Sequence, residues 1–134
     1  MFTLIIKRWG TLSITFPHGN FFEQKLWIKD GLLHREKNLP ANNKANGEKE
    51  FWLKGEQYRL QENGTKEFVA TRSLSASLNY ILHRYDNLPA IEYTNGDKEW
   101  WFEGKRHRKN GPAVIYGNKQ YWFEDGNFIK FLED

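Results

Sequence analysis

The residues with the most chemistry in them recur. His34-Arg35, His83-Arg84 and His107-Arg108 set an imidazole beside a guanidinium three times, and Tyr58-Arg59 stands in a fourth equivalent place. The aligned positions 34, 58, 83 and 107 are 24, 25 and 24 residues apart. An imidazole can ligate a metal, carry a proton or accept a hydrogen bond, and a guanidinium grips carboxylates and phosphates in a planar fork. Spacing chooses among these. If each period is a hairpin of two strands, equivalent positions lie two inter-strand spacings apart, about 10 Å. Zinc–nitrogen bonds are about 2.0–2.1 Å, so ligands of one ion must converge much more closely. The histidines therefore read as a ladder and not as a metal site. Each imidazole and its arginine is expected to pack on an aromatic of a neighbouring hairpin, and no cofactor is implied.

The densest basic run is Lys105-Arg106-His107-Arg108-Lys109, close in sequence to Trp100, Trp101 and Trp122. On a strand its side chains alternate between faces, so Lys105, His107 and Lys109 share one and Arg106 and Arg108 the other. Trp, Tyr and Arg are the types that dominate binding hot spots. Trp100, Trp101, Arg106, Arg108 and Trp122 are accordingly the expected contact residues. The leading expectation is a non-enzymatic protein that binds another protein through this aromatic and cationic surface. The alternative is single-stranded nucleic acid, which the same mixture of rings and cations would suit. The plainest reading of the basic run is an edge strand defended by charge. Net charge is +3, with +4 on residues 1–60 and −1 on residues 61–134, which permits polyanion binding without arguing for it.

Catalytic constellations are missing from the sequence: there is no Gly-x-Ser-x-Gly elbow, His-Glu-x-x-His pair or Walker loop. The chain has no cysteine, which removes disulfides, thiolate metal sites and a cysteine nucleophile. Acidic residues alternate with lysine in Glu48-Lys49-Glu50 and Asp97-Lys98-Glu99, a pattern that suits solvated strand faces and cross-strand pairs. Asn63-Gly64-Thr65 matches a glycosylation acceptor but reads most simply as a hairpin turn. No apolar run approaches the roughly 18 residues of a membrane span, and Met1–Ile6 is too short for a signal-peptide core. A cytoplasmic protein is expected.

The elements that must position these residues follow from the same periodicity. Trp27-Ile28-Lys29-Asp30-Gly31-Leu32-Leu33-His34-Arg35 is echoed by Trp100-Trp101-Phe102-Glu103-Gly104-Lys105-Arg106-His107-Arg108. A third copy, Phe51 to Arg59, carries Tyr58 for His, and a fourth, around Tyr80-Ile81-Leu82-His83-Arg84, lacks the preceding Trp and Gly. Asn38-Leu39-Pro40-Ala41, Asn87-Leu88-Pro89-Ala90 and Asn110-Gly111-Pro112-Ala113 follow the His-Arg pairs, and Tyr121 to Asn127 begins a truncated fifth unit. Aromatic runs separated by Asn-Gly and Asp-Gly pairs are the hairpin signature. The chain is therefore expected to be all-β, a curled antiparallel meander of hairpin repeats about 24 residues long. Residues 1–134 read as one domain, with N-terminal strands over 1–25 and hairpin repeats over 26–130. Phe2–Lys7 and Thr11–Phe16 read as strands. Residues 73–85 fit both a strand and a short helix. The edge segment Phe2–Ile6 is apolar and β-prone, so it is expected to be covered or to pair with a second copy as a homodimer.

A unit of the form aromatic-x3-Gly-x2-His-Arg-x4-Pro-Ala resembles the degenerate MORN-like repeats of small proteins from bacteriophages and large DNA viruses. The resemblance spans roughly Leu26 to Lys130, with His34-Arg35, His83-Arg84 and His107-Arg108 its most specific residues. It implies a solenoid-like antiparallel sheet in which Trp27, Gly31, His34, Arg35, Tyr58, Arg59, His83, Arg84, His107 and Arg108 are structural. It further implies an interaction role in the host cytoplasm, with a host protein bound and inhibited, and it brings no catalytic residues.

Overall fold

Short aromatic runs bounded by x-Gly pairs can satisfy their backbone groups only by pairing with neighbours, and they do so as antiparallel strands throughout. The computed structural model describes the backbone of residues 3–7, 11–18, 22–74 and 77–134, and the side chains of 24–70 and 80–134. The contacts divide the chain into two compact units, residues 1–58 and 59–134. No helix occurs among the described residues.

The first unit contains β1 (Thr3–Lys7), β2 (Thr11–His18), β3 (Phe22–Lys29), β4 (Leu32–Leu33), β5 (Asn42–Asn43), β6 (Lys49–Leu53) and the start of β7 (Glu56–Leu60). They pair in the order β1-β2-β3-β5-β6-β7, and β4 folds back on the end of β3. Strand β3 thus serves two partners: Ile28 and Lys29 face Leu33 and Leu32, while Lys25 and Leu26 face Asn43 and Asn42. The N-terminal strands expected over Phe2–Lys7 and Thr11–Phe16 are β1 and β2. Phe2 lies outside the described residues, as do the side chains of β1. Trp27, Ala41 and Tyr58 form the buried apolar set of this unit.

The second unit repeats that scheme. It holds β8 (Lys66–Leu74), β9 (Ser77–Leu82), β10 (Ile91–Glu92), β11 (Lys98–Glu99), β12 (Trp101–Phe102), β13 (Lys105–Arg106), β14 (Val114–Tyr116), β15 (Lys119–Glu124) and β16 (Asn127–Glu133). The order is β8-β10-β11-β14-β15-β16, with β9 paired to the far end of β8 and β12 to β13. Within the ambiguous stretch, Ser73–Leu74 and Ser77–Leu82 are strand, with Leu74 paired to Ser77 and Ser73 to Leu78. Each short strand after a proline, β5, β10 and β14, begins two residues beyond Pro40, Pro89 or Pro112. A residue that cannot donate to the ladder is suited to that place. The core comprises Phe68, Val69, Ala90, Ile91, Trp100, Ala113 and Val114. By contrast, all seven residues of β16 are exposed, including Phe128, Ile129, Phe131 and Leu132.

Candidate functional site

Each histidine of the ladder makes the same hydrogen bond. Nδ1 of His34 accepts the backbone N–H of Lys54 at 2.9 Å, His83 that of Glu103 at 2.9 Å, and His107 that of Asp125 at 3.0 Å. All three donors have left-handed backbones, with φ of 48°, 49° and 49°, and each precedes a glycine in a hairpin turn. Two successive positive φ values define the primed turn that matches strand twist. The glycine then donates back, Gly55 to Leu33, Gly104 to Leu82 and Gly126 to Arg106, at 2.9 Å each. The imidazole thus locks the turn of the following hairpin. In the neutral ring, an accepting Nδ1 leaves the proton on Nε2.

Each arginine has an equally constant setting. Its guanidinium lies over an aromatic ring, Cζ of Arg35 3.7 Å from the centre of Trp27, of Arg84 3.6 Å from Phe68 and of Arg108 3.9 Å from Trp100. Its Nη1 donates to the carbonyl of Pro40, Pro89 or Pro112 at 3.1–3.2 Å. The alanine after each proline is 0 % exposed, and its carbonyl accepts the amide of Trp27, Phe68 or Trp100 at 2.7–2.8 Å. At the odd position, Tyr58 is buried beside Phe51, ring centroids 5.6 Å apart, and burial raises its hydroxyl pKa. Arg59 sits 3.7 Å from Glu67. Gly31, at φ 78°, completes a primed turn with Asp30. Among the described residues no three His, Asp or Glu side chains gather as metal ligands would.

The acidic alternation was expected on solvated strand faces and in cross-strand pairs, and Glu99 is paired but not solvated. Glu99 is 2 % exposed. Its carboxylate accepts the hydroxyls of Tyr93 and Tyr116, the indole N–H of Trp101 at 3.2 Å and Nε–H of Arg106 at 3.1 Å. Burial alone would raise its pKa, but the tyrosine hydrogen bonds and the Arg106 charge outweigh burial and hold it below the usual carboxylate value. Burial and the same carboxylate push the Tyr93 and Tyr116 hydroxyls up. Glu50 occupies the corresponding place in the first unit, accepting from Asn42 at 2.8 Å and Trp52 at 3.3 Å, with Lys44 at 3.1 Å. A carboxylate so fully supplied with donors is a structural anion and a poor proton acceptor.

These commitments sort the expected contact residues. Arg106 is spent on Glu99, and only Lys105 and Arg106 of the basic run lie on a strand, so the five residues do not form one strip. Trp122 lies under Lys130, 4.6 Å from ring to ammonium. Trp100, Trp101 and Arg108 come together, and they line a cleft of about 410 Å³ between the Arg84–Leu88 and His107–Asn110 loops. Its lining also includes Tyr85, Leu88 and Phe102, which the sequence did not single out. All three are exposed, Tyr85 by 60 %. Their spacing carried no signal, because Tyr85 and Leu88 follow the His-Arg pair at places held by Glu36 and Leu39 in the first unit. The rings form one cluster: His83 lies 4.3 Å from Tyr85 and 4.6 Å from Phe102, and Phe102 lies 6.2 Å from His107. Among the described residues no helix is long and apolar enough to cross a membrane. No protein-family model, no curated protein and no solved structure matches this chain.

Proposed function

We propose that this chain is a non-enzymatic binding protein that receives a segment of another protein in the cleft of its second unit. The observation that carries the reading is the exposure of Tyr85, Leu88 and Phe102 around a concave aromatic wall. The two indole donors of the wall are already satisfied: Trp100 donates to the Asn87 carbonyl at 2.9 Å and Trp101 to Glu99. Apolar surface and satisfied indoles of this kind gain by excluding water and lose no indole hydrogen bond when they do. Aromatic anchors flanked by arginine are the composition of an interface hot spot. The repeat resemblance makes a host protein, bound and inhibited in an infected cell's cytoplasm, the expected partner.

The test is affinity capture from the native host in the presence of nuclease, followed by titration of the purified partner. Tyr85→Ala and Phe102→Ala should each weaken binding by about 30-fold, the effect of losing roughly 2 kcal/mol of a hot spot. Phe128→Ala, at an exposed residue outside the cleft, should leave the affinity alone. Capture that disappears with nuclease would favour the nucleic-acid alternative, and cleft variants that bind like wild type would refute this site.

A further inference from the structure

The cleft has a chemical asymmetry that narrows its ligand. Of the two loops that bound it, the one carrying Arg108 is a residue shorter, reaching Pro112 five residues after His107 where Pro40 and Pro89 follow their histidines by six. It has no counterpart of Leu39 or Leu88, and Gly111 stands beside the guanidinium. A Cβ at Gly111 would fall 3.0 Å from Cζ and Nη1 of Arg108. Glycine there is what lets the guanidinium lie on Trp100. Arg108 then spends Nε on the Asn87 side chain at 3.0 Å and Nη1 on the Pro112 carbonyl, and neither bond engages Nη2. Burial lowers its pKa, a sign that its charge is partly desolvated. Lys109 is exposed and its ammonium forms no ion pair among the described residues. His107 has Nδ1 committed to the Asp125 amide, which in the neutral ring makes Nε2 the donor.

The uncommitted groups on this side of the cleft are thus donors and cations, set against an aromatic floor. Arg84, the other cation on the lining, is neutralised by Glu92 at 2.8 Å, and Asp86 is the one carboxylate there. We infer that the cleft selects a segment bearing a carboxylate next to an apolar side chain, the apolar group seated among Tyr85, Leu88 and Phe102 and the carboxylate facing Arg108 and Lys109. This rests on the protein-binding reading above and names the chemistry of the segment. A guanidinium held over a ring and partly desolvated, with N–H groups to spare, is an effective carboxylate partner, and an unpaired lysine beside it adds attraction at little cost.

The probe is 3-phenylpropionate, compared with its neutral amide, 3-phenylpropionamide. Each is titrated into the full chain and followed by proton–nitrogen NMR at the Trp100 and Trp101 indoles and the Lys109 amide. A ligand this small should bind in the millimolar range. The acid should bind about tenfold more tightly than the amide, and Lys109→Gln, at an exposed side chain, should remove at least about half of that ratio while leaving amide binding unchanged. Equal binding of acid and amide overturns the inference, as does binding of neither at about 10 mM, or an acid preference that survives Lys109→Gln together with Arg108→Gln. Partner affinity still lost in Tyr85→Ala and Phe102→Ala would then show that the cleft binds protein without reading a carboxylate. Partner affinity unchanged in those variants would remove the site itself.

Discussion

At the scale of single residues, the recurring histidine is explained by a backbone problem in the next hairpin. A non-glycine residue in the left-handed region costs about 1–2 kcal/mol, and Lys54, Glu103 and Asp125 all sit there. Asn or Asp tolerates that region, and Asn-Gly is the preferred pair for such a turn, so Lys54 and Glu103 are poor local choices. The imidazole makes them workable by accepting their amides, at 2.9 Å in both cases. Two outcomes follow from this chemistry. Glu103→Asn and Lys54→Asn, at exposed side chains, should each raise unfolding free energy by about 0.5 kcal/mol, because they relieve the strain without touching the lock. His83→Phe should lower it by about 2 kcal/mol, since a buried acceptor is lost, whereas His107→Phe should cost about 1 kcal/mol because the Asp125 turn is open to water. Urea titration checks the energies, and nitrogen-15 shifts of the imidazoles should place the proton on Nε2. Protonation at Nδ1 instead would contradict the lock.

At the scale of elements, the Pro-Ala strands are the tightest points of the fold. Ala41, Ala90 and Ala113 have no exposed surface, and each alanine carbonyl pairs with the aromatic residue on which an arginine lies. A larger side chain has nowhere to go, so Ala90→Leu should destabilise by roughly 1–3 kcal/mol through overpacking. Leu88→Ala, two residues away on the exposed side of Pro89, should change stability little; calorimetry of the two variants together separates packing from loop effects. How far such features were legible depended on whether they are local. Asn46-Gly47, Asn63-Gly64 and Asn95-Gly96 announce their turns, and in each the asparagine side chain caps the amide two residues on at 2.9 Å. The proline and glycine positions likewise fix where strands start and turn. Residues 73–85 stayed ambiguous because alternation and helical spacing coincide there, and pairing with β8 decided it. Lys-Glu alternation looked solvated at Glu99 because its partners are set apart in sequence, Tyr93 just after β10, Arg106 on β13 and Tyr116 on β14. The cleft was only half legible. Trp100, Trp101 and Arg108 stood out by type, but Arg106 and Trp122, chosen on the same ground, are committed to Glu99 and Lys130.

At the scale of the whole molecule, both units carry a carboxylate that folding shields from water and supplies with donors, Glu50 half-buried in the first and Glu99 buried in the second. In both, burial opposes ionisation, and hydrogen bonds with a nearby cation more than offset it, leaving the folded pKa below the ordinary 4.5. A group whose pKa is lower folded than unfolded stabilises the folded state while it is ionised. That contribution is complete above the unfolded carboxyl's pKa of about 4.3 and is lost as pH falls through the folded value. Unfolding free energy in urea should therefore decline below about pH 4.5 through these two groups. Glu99→Gln isolates the effect. It should cost about 2 kcal/mol at pH 7, where it removes an anion that Arg106 and two tyrosines are built around. As pH falls from about 5 to 3 the gap between wild type and variant should close, because protonation removes from the wild type what the substitution has already removed. Two curves that fall in parallel, with the gap unchanged, would mean that Glu99 has the same pKa folded and unfolded, and a gap that widens would mean that folding favours its neutral form; in either case the donor-saturated anion would have to be abandoned as the centre of the second unit.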